Sequence, residues 1–234
     1  MVFVLKLMFF QHVKHETKNF FTIFASMNDE KLTNQVWGEN VIIADADYVD
    51  SVAFDLIVNF ERIINRRIPP ADMSQWLVCI DLDGGVKPRQ DQADSHFSTQ
   101  VVLIHSKQNI SLKNFIPSHY ANDLDGKAFK DPALGEFCIT ALPVEDKMVS
   151  HDDLFLDIVG TVCADSHVRR VMVIPNAEQG TLYDDLRETL RHVDDDGKRI
   201  TVFTMQPLVG GNFRQEQLGF SMMAALGIRS DELP

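Results

Sequence analysis

From residue 41 onward the chain alternates between continuous apolar runs and runs with one apolar stripe. "NVIIADAD" is an apolar run closed by acids, the pattern of a strand buried on both faces. Val52, Leu56, Phe60 and Ile64 then recur every four residues with Ala53 and Ile57 beside them. That spacing predicts a helix ending near Arg66, ahead of Pro69-Pro70. "WLVCIDLDGGV", "STQVVLIHS" and "EFCITALPV" read as three strands. "HDDLFLDIVGTVCAD" carries Leu154, Ile158 and Val162 at helical spacing, and "VRRVMVIP" is a strand. "TLYDDLRETLRHV" is a helix with Leu182, Leu186, Leu190 and Val193 inward and Thr181 as its N-cap. "KRITVFTM" is a strand, and "NFRQEQLGFSMMAALGI" closes with a helix.

Strand–helix–strand units of this length predict right-handed crossovers and a parallel sheet. The expected fold is therefore α/β, a three-layer sandwich with a mainly parallel central sheet. An antiparallel or irregular elaboration is expected between about residues 76 and 147. The alternation starts only after "MVFVLKLMFFQHVKHETKNFFTIFAS", so residues 1–26 are read as an N-terminal extension and 27–234 as a single α/β domain. Neither apolar run in that segment reaches the roughly 18 to 20 residues of a membrane span.

Charge narrows the partners. Thirty-four acidic residues against 22 basic ones leave a net charge of −12, which repels polyanions over the surface as a whole. "SHVRRV" with Lys198 and Arg199 is a modest basic feature, too small to predict RNA binding. The three cysteines, Cys79, Cys138 and Cys163, have no metal spacing and read as buried free thiols of a reducing, cytoplasmic compartment.

Open α/β sheets gather their ligands at the carboxyl ends of the strands. The residues there are Asp45, Asp47 and Tyr48 after the first strand, Asn176 and Glu178 after "VMVIP", and Gln206 and Pro207 after "TVFTM". His151, Asp152 and Asp153 open a helix at the same end. Acids converging from separate segments suit a hard divalent cation. The plain alternative is that Asp47 or Asp50 caps the first helix, Asp152 caps the later one and His151 is solvated.

The order strand–acid–helix, then Lys and paired acids opening a helix, then strand–polar loop–helix–strand resembles the NYN branch of the PIN-like nucleases. "DADY" places Asp45 on that family's acid and Tyr48 where it has Asn. "KMVSHDDLFLD" puts Lys147, Asp152 and Asp153 on its Lys and paired acids. "VIPNAEQGTLYDDL" puts Asn176 in an Asp slot, with Glu178 as the available substitute. "LRETLRHVDDDGKRITVF" is similar to its helix–Gly–strand ending. The resemblance implies Asp45, Asp152 and Asp153 as catalytic residues and Asp45, Asp153 and Glu178 as ligands of Mg²⁺ or Mn²⁺. Asp47, Tyr48, Lys147 and Asn176 would complete the pocket.

Both departures fall on metal positions. The expectation is accordingly a degenerate, catalytically silent PIN-like domain acting through a protein partner or self-association. A Mg²⁺- or Mn²⁺-dependent ribonuclease is the alternative, which the charge makes a poor match for nucleic acid. "DADYV" also fits the opening motif of haloacid-dehalogenase-type phosphatases, with Asp45 as nucleophile, Asp47 as acid/base, and Ser106, Lys113 and Asp152-Asp153 following in order.

Overall fold

The structure, a computed structural model, describes residues 36–88, 98–145, 149–178, 180–193 and 197–233. Trp37–Pro234 forms one compact unit. The extension assigned to 1–26 lies outside the described residues, as does Lys147.

This unit is an α/β three-layer sandwich. β1 (Asn40–Asp45) leads directly into α1 (Ala46–Ile64), then β2 (Ala71–Asp72) and α2 (Met73–Asp83). β3 (Ser98–Ser106), β4 (Phe115–Ile116) and a π-helical turn (Tyr120–Leu124) come next, followed by β5 (Lys127–Asp131) and β6 (Gly135–Val144). The remainder is α3 (His151–Ala164), β7 (Arg170–Ile174), α4 (Leu182–Leu190), β8 (Arg199–Thr204), β9 (Arg214–Gln217) and α5 (Leu218–Ala225). The seven-stranded sheet runs β5-β6-β3-β1-β7-β8-β9. All pairs are parallel except β5–β6, which supplies the antiparallel elaboration expected in the middle of the chain.

The strands alternate between two buried faces, as continuous apolar runs require. Ile42 and Ala44 join Val52 and Ala53 of α1, Trp76, Leu77 and Ile80 of α2, and Leu218 and Met222 of α5 in one core. Val41 and Ile43 point the other way and are also fully buried, on the side where α3 and α4 pack together. The chain builds β1, β3 and β6 in one direction, then returns to add β7, β8 and β9 on the other flank of β1. The strand order thus reverses at β1/β7, where ligands of doubly wound sheets bind.

Two elements differ from the sequence expectation. "WLVCIDLDGGV" is not a strand: residues 73–83 form α2, because Asp72 caps it, its Oδ1 accepting the Gln75 amide at 3.0 Å, and Trp76, Leu77 and Ile80 face one core. The closing segment is not all helix, since Arg214–Gln217 pairs in parallel with β8 before α5 begins. Thr181 stands at the head of α4 without capping it, and its hydroxyl donates instead to Asp185 Oδ2 at 3.1 Å.

A buried cation closes the end of α3. Lys198 Nζ donates to the carbonyls of Cys163 and Asp165, both at 2.6 Å, covering the end of α3 where carbonyls have no helical partner. Lys198→Met keeps the aliphatic stem and removes these bonds. The expected cost is about 2 kcal/mol, a fall in melting temperature of roughly 4 to 8 °C for a domain of this size. A melting temperature within about 1 °C of wild type would show that the carbonyls find equivalent partners.

Candidate functional site

Asp45 is the last residue of β1 and the N-cap of α1, its Oδ1 accepting the Tyr48 amide at 2.9 Å. It is 4 % exposed, and burial raises its pKa, opposed by the nearby His151 and the Tyr48 amide. Its other oxygen, Oδ2, lies 3.7 Å from His151 Nδ1. His151 is the first residue of α3, which the return crossover from β6 brings over the sheet to β1. So the imidazole read as solvated is half-buried against the first strand's acid, and its Nε2 is a buried atom without a hydrogen-bond partner among the described residues.

Asp47, in the first turn of α1, does not cap its helix. Its Oδ2 accepts the Ser106 amide at 2.6 Å and its Oδ1 the Asn109 side chain at 2.7 Å, joining α1 to the loop after β3. Asp50 likewise accepts the amides of Lys113 and Asn114 at 2.9 and 2.8 Å. Ligand atoms of Asp45, Asp47 and His151 all lie within 4.8 Å of one another. That is a two-oxygen, one-nitrogen donor set at the carboxyl edge of the central strand.

Around it stand residues that the sequence did not single out. His105, near the end of β3, stacks on Tyr120 with ring centroids 3.6 Å apart and planes 8° from parallel. Burial lowers the His105 pKa, and burial together with the charges of Asp47, Asp50 and Asp45 raises that of Tyr120. The stacked pair therefore borders the acidic group. A His in the apolar run "VVLIHS" was the available signal, but only the β1–β3 pairing places it beside Asp47.

The remaining sequence candidates fall at varying distances from this group. Asn176 lies just past β7, on the same edge as Asp45, since Ala44 and Ile174 are register partners. Glu178 is on that loop and accepts the Tyr48 hydroxyl at 3.1 Å, so Tyr48 spans the reversal point between the two strand ends. Burial, followed by the Glu178 charge, raises the Tyr48 pKa. Asp152 is exposed, its Oδ1 4.0 Å from His151 Nδ1. Asp153 is exposed on α3, and its charge acts on Asp157 one turn further along. Neither Asp153 nor Glu178 belongs to the three-residue donor group. Lys113, in the phosphatase-like reading, contributes its amide to Asp50.

A model of a family of unknown function, DUF6621, matches residues 34–233 and so spans every element named above. The chain belongs to the DUF6621 family. No curated protein and no solved structure matches it. Among the described residues of this DUF6621 member no helix is long and apolar enough to cross a membrane.

Proposed function

We propose that this domain is a PIN-like phosphoesterase that holds one divalent ion through Asp45, Asp47 and His151. The convergence of those three donors at the strand-order reversal carries the reading. The resemblance to the NYN branch leaves its acidic site short of a carboxylate at Asn176. His151, from a different segment, supplies a ligand in compensation. Two carboxylates and an imidazole suit Mn²⁺ or Zn²⁺ better than Mg²⁺, which prefers oxygen donors alone. A bound ion would neutralise charge on a phosphoryl oxygen and activate water.

The chain's own residues hold and orient the donors. The Tyr48 amide fixes the Asp45 rotamer, Ser106 and Asn109 fix Asp47, and α3 delivers His151. The buried His105–Tyr120 stack packs behind the acidic group and backs the donors. A net charge of −12 favours a short or single phosphoester over a long polyanion.

One observation favours a second reading, the catalytically silent domain. Both oxygens of Asp47 and one of Asp45 already accept hydrogen bonds, so the acids have structural work without an ion. Incubation with bis(p-nitrophenyl) phosphate and with short single-stranded RNA in Mn²⁺ separates the two. The expected result is turnover of at least one substrate that is lost in Asp45→Asn and His151→Gln. Ion binding with no turnover of either substrate would favour the silent domain.

A further inference from the structure

Five buried polar side-chain atoms without a hydrogen-bond partner among the described residues gather at the edge of the sheet opposite the candidate site. They are Nδ2 and Oδ1 of Asn40, Oδ1 of Asp81, Nε of Arg170 and Oγ1 of Thr201. Asn40 opens β1, and its register partners are Thr99 on β3 and Arg170 on β7, so these three side chains are neighbours on one face. Thr99 Oγ1 donates to Asp81 Oδ2 at 2.7 Å, which identifies that face as the one α2 covers. Thr201 pairs with Met172, two residues beyond Arg170, and shares the face. The end of α2 presses directly on the sheet here: a Cβ added at Gly84 would stand 2.5 Å from Met172 Cγ. Asn40 and Asp81 are both 0 % exposed.

The cluster has complementary chemistry that its members do not satisfy among themselves. Asn40 Nδ2 and Arg170 Nε donate, Asp81 Oδ1 and Asn40 Oδ1 accept, and the Thr201 hydroxyl can do either. Arg170 lowers the Asp81 pKa electrostatically, yet neither Nε nor Oδ1 has a hydrogen-bond partner among the described residues. Buried groups of this kind are almost always paired, with ordered water where protein does not reach. A bound anion would face the Asp81 carboxyl and a bound cation the Arg170 guanidinium. Water, which both donates and accepts, meets neither objection.

We propose that this cluster is an internal water site, with at least one ordered water bridging Asp81 Oδ1 to Arg170 Nε or to the Asn40 amide. It is independent of the metal reading, since it lies at the other end of the strands. A crystal structure of the full chain that shows ordered solvent tests it. The expected result is a density peak within hydrogen-bond distance of Asp81 Oδ1 and of Arg170 Nε or Asn40. A direct Asp81–Arg170 hydrogen bond with no such peak, or a dry cluster, would overturn the proposal. In solution, water relaxation dispersion counts long-lived internal waters. The folded Asn40→Leu/Asp81→Leu double variant is expected to lose at least one, and an unchanged count would equally overturn it. Should that variant not fold, the wild-type density decides.

Discussion

Asp81→Asn is expected to raise the melting temperature at pH 8 and to leave it nearly unchanged at pH 4. Burial pushes the Asp81 carboxyl up to about 7 from its ordinary 3.8, against the hydrogen bond from Thr99 and the Arg170 charge. The folded state therefore binds a proton more tightly than the unfolded state. Below pH 3.8 both states are protonated and Asp81 imposes no penalty. As pH climbs from there to about 7 the unfolded chain ionises first, and stability falls by about 1.4 kcal/mol per unit. By pH 8 the accumulated cost reaches about 4 kcal/mol, on the order of 8 to 16 °C in melting temperature for a domain this size. Asparagine keeps an oxygen for Thr99 and never ionises, so it removes that cost. Arg170 is the charged group acting on Asp81, and Thr99 and Asn40 are its uncharged polar neighbours. A variant equally destabilised at both pH values would show that the ionised carboxylate is well accommodated.

Divalent ions should stabilise the protein through the opposite edge of the sheet. An ion that binds only the folded state contributes RT ln(1 + [L]/Kd), about 2.7 kcal/mol at a hundredfold excess over Kd. That corresponds to roughly 5 to 10 °C in melting temperature. Mn²⁺ and Zn²⁺ are expected to produce this shift and Mg²⁺ a smaller one, because His151 supplies a nitrogen donor. His151→Gln should reduce the Mn²⁺ shift to below about 2 °C while leaving the ion-free melting temperature close to wild type. Asp45→Asn should abolish the shift too, with an ion-free melting temperature close to wild type, because asparagine caps a helix about as well as aspartate. Equal shifts for Mg²⁺ and Mn²⁺, undiminished in His151→Gln, would place the ion elsewhere.

Much of the architecture was legible because its signals are local. "STQVVLIHS" became β3 over the same nine residues, since a β-branched apolar run bounded by polar residues has few other uses. "WLVCIDLDGGV" misled because a short apolar run has no clear period. The deciding features were Asp72 at its head and the inward positions Trp76, Leu77 and Ile80. β9, "RQEQ", has no apolar residue at all, and only its pairing with β8 makes it a strand. The reversal-point edge could be anticipated, and so could Asp45 upon it. So could the placing of His151 at that end, although its imidazole, read as solvated, is half-buried against Asp45. His105 could not, because its proximity to Asp47 depends on which strands become neighbours. Asp81 was hidden for a related reason. In "CIDLDGG" it resembles part of a turn, and only the pairing of β1, β3 and β7 gives α2 a sheet face against which to bury it.

The most direct test is anomalous diffraction from crystals of the full chain grown with Mn²⁺, recorded on either side of the manganese absorption edge. The expected result is one strong anomalous peak at ligand distance from Asp45 Oδ2, an Asp47 oxygen and a ring nitrogen of His151, absent from crystals of His151→Gln. Anomalous peaks confined to other acids, with the Asp45–Asp47–His151 group unchanged, would contradict it.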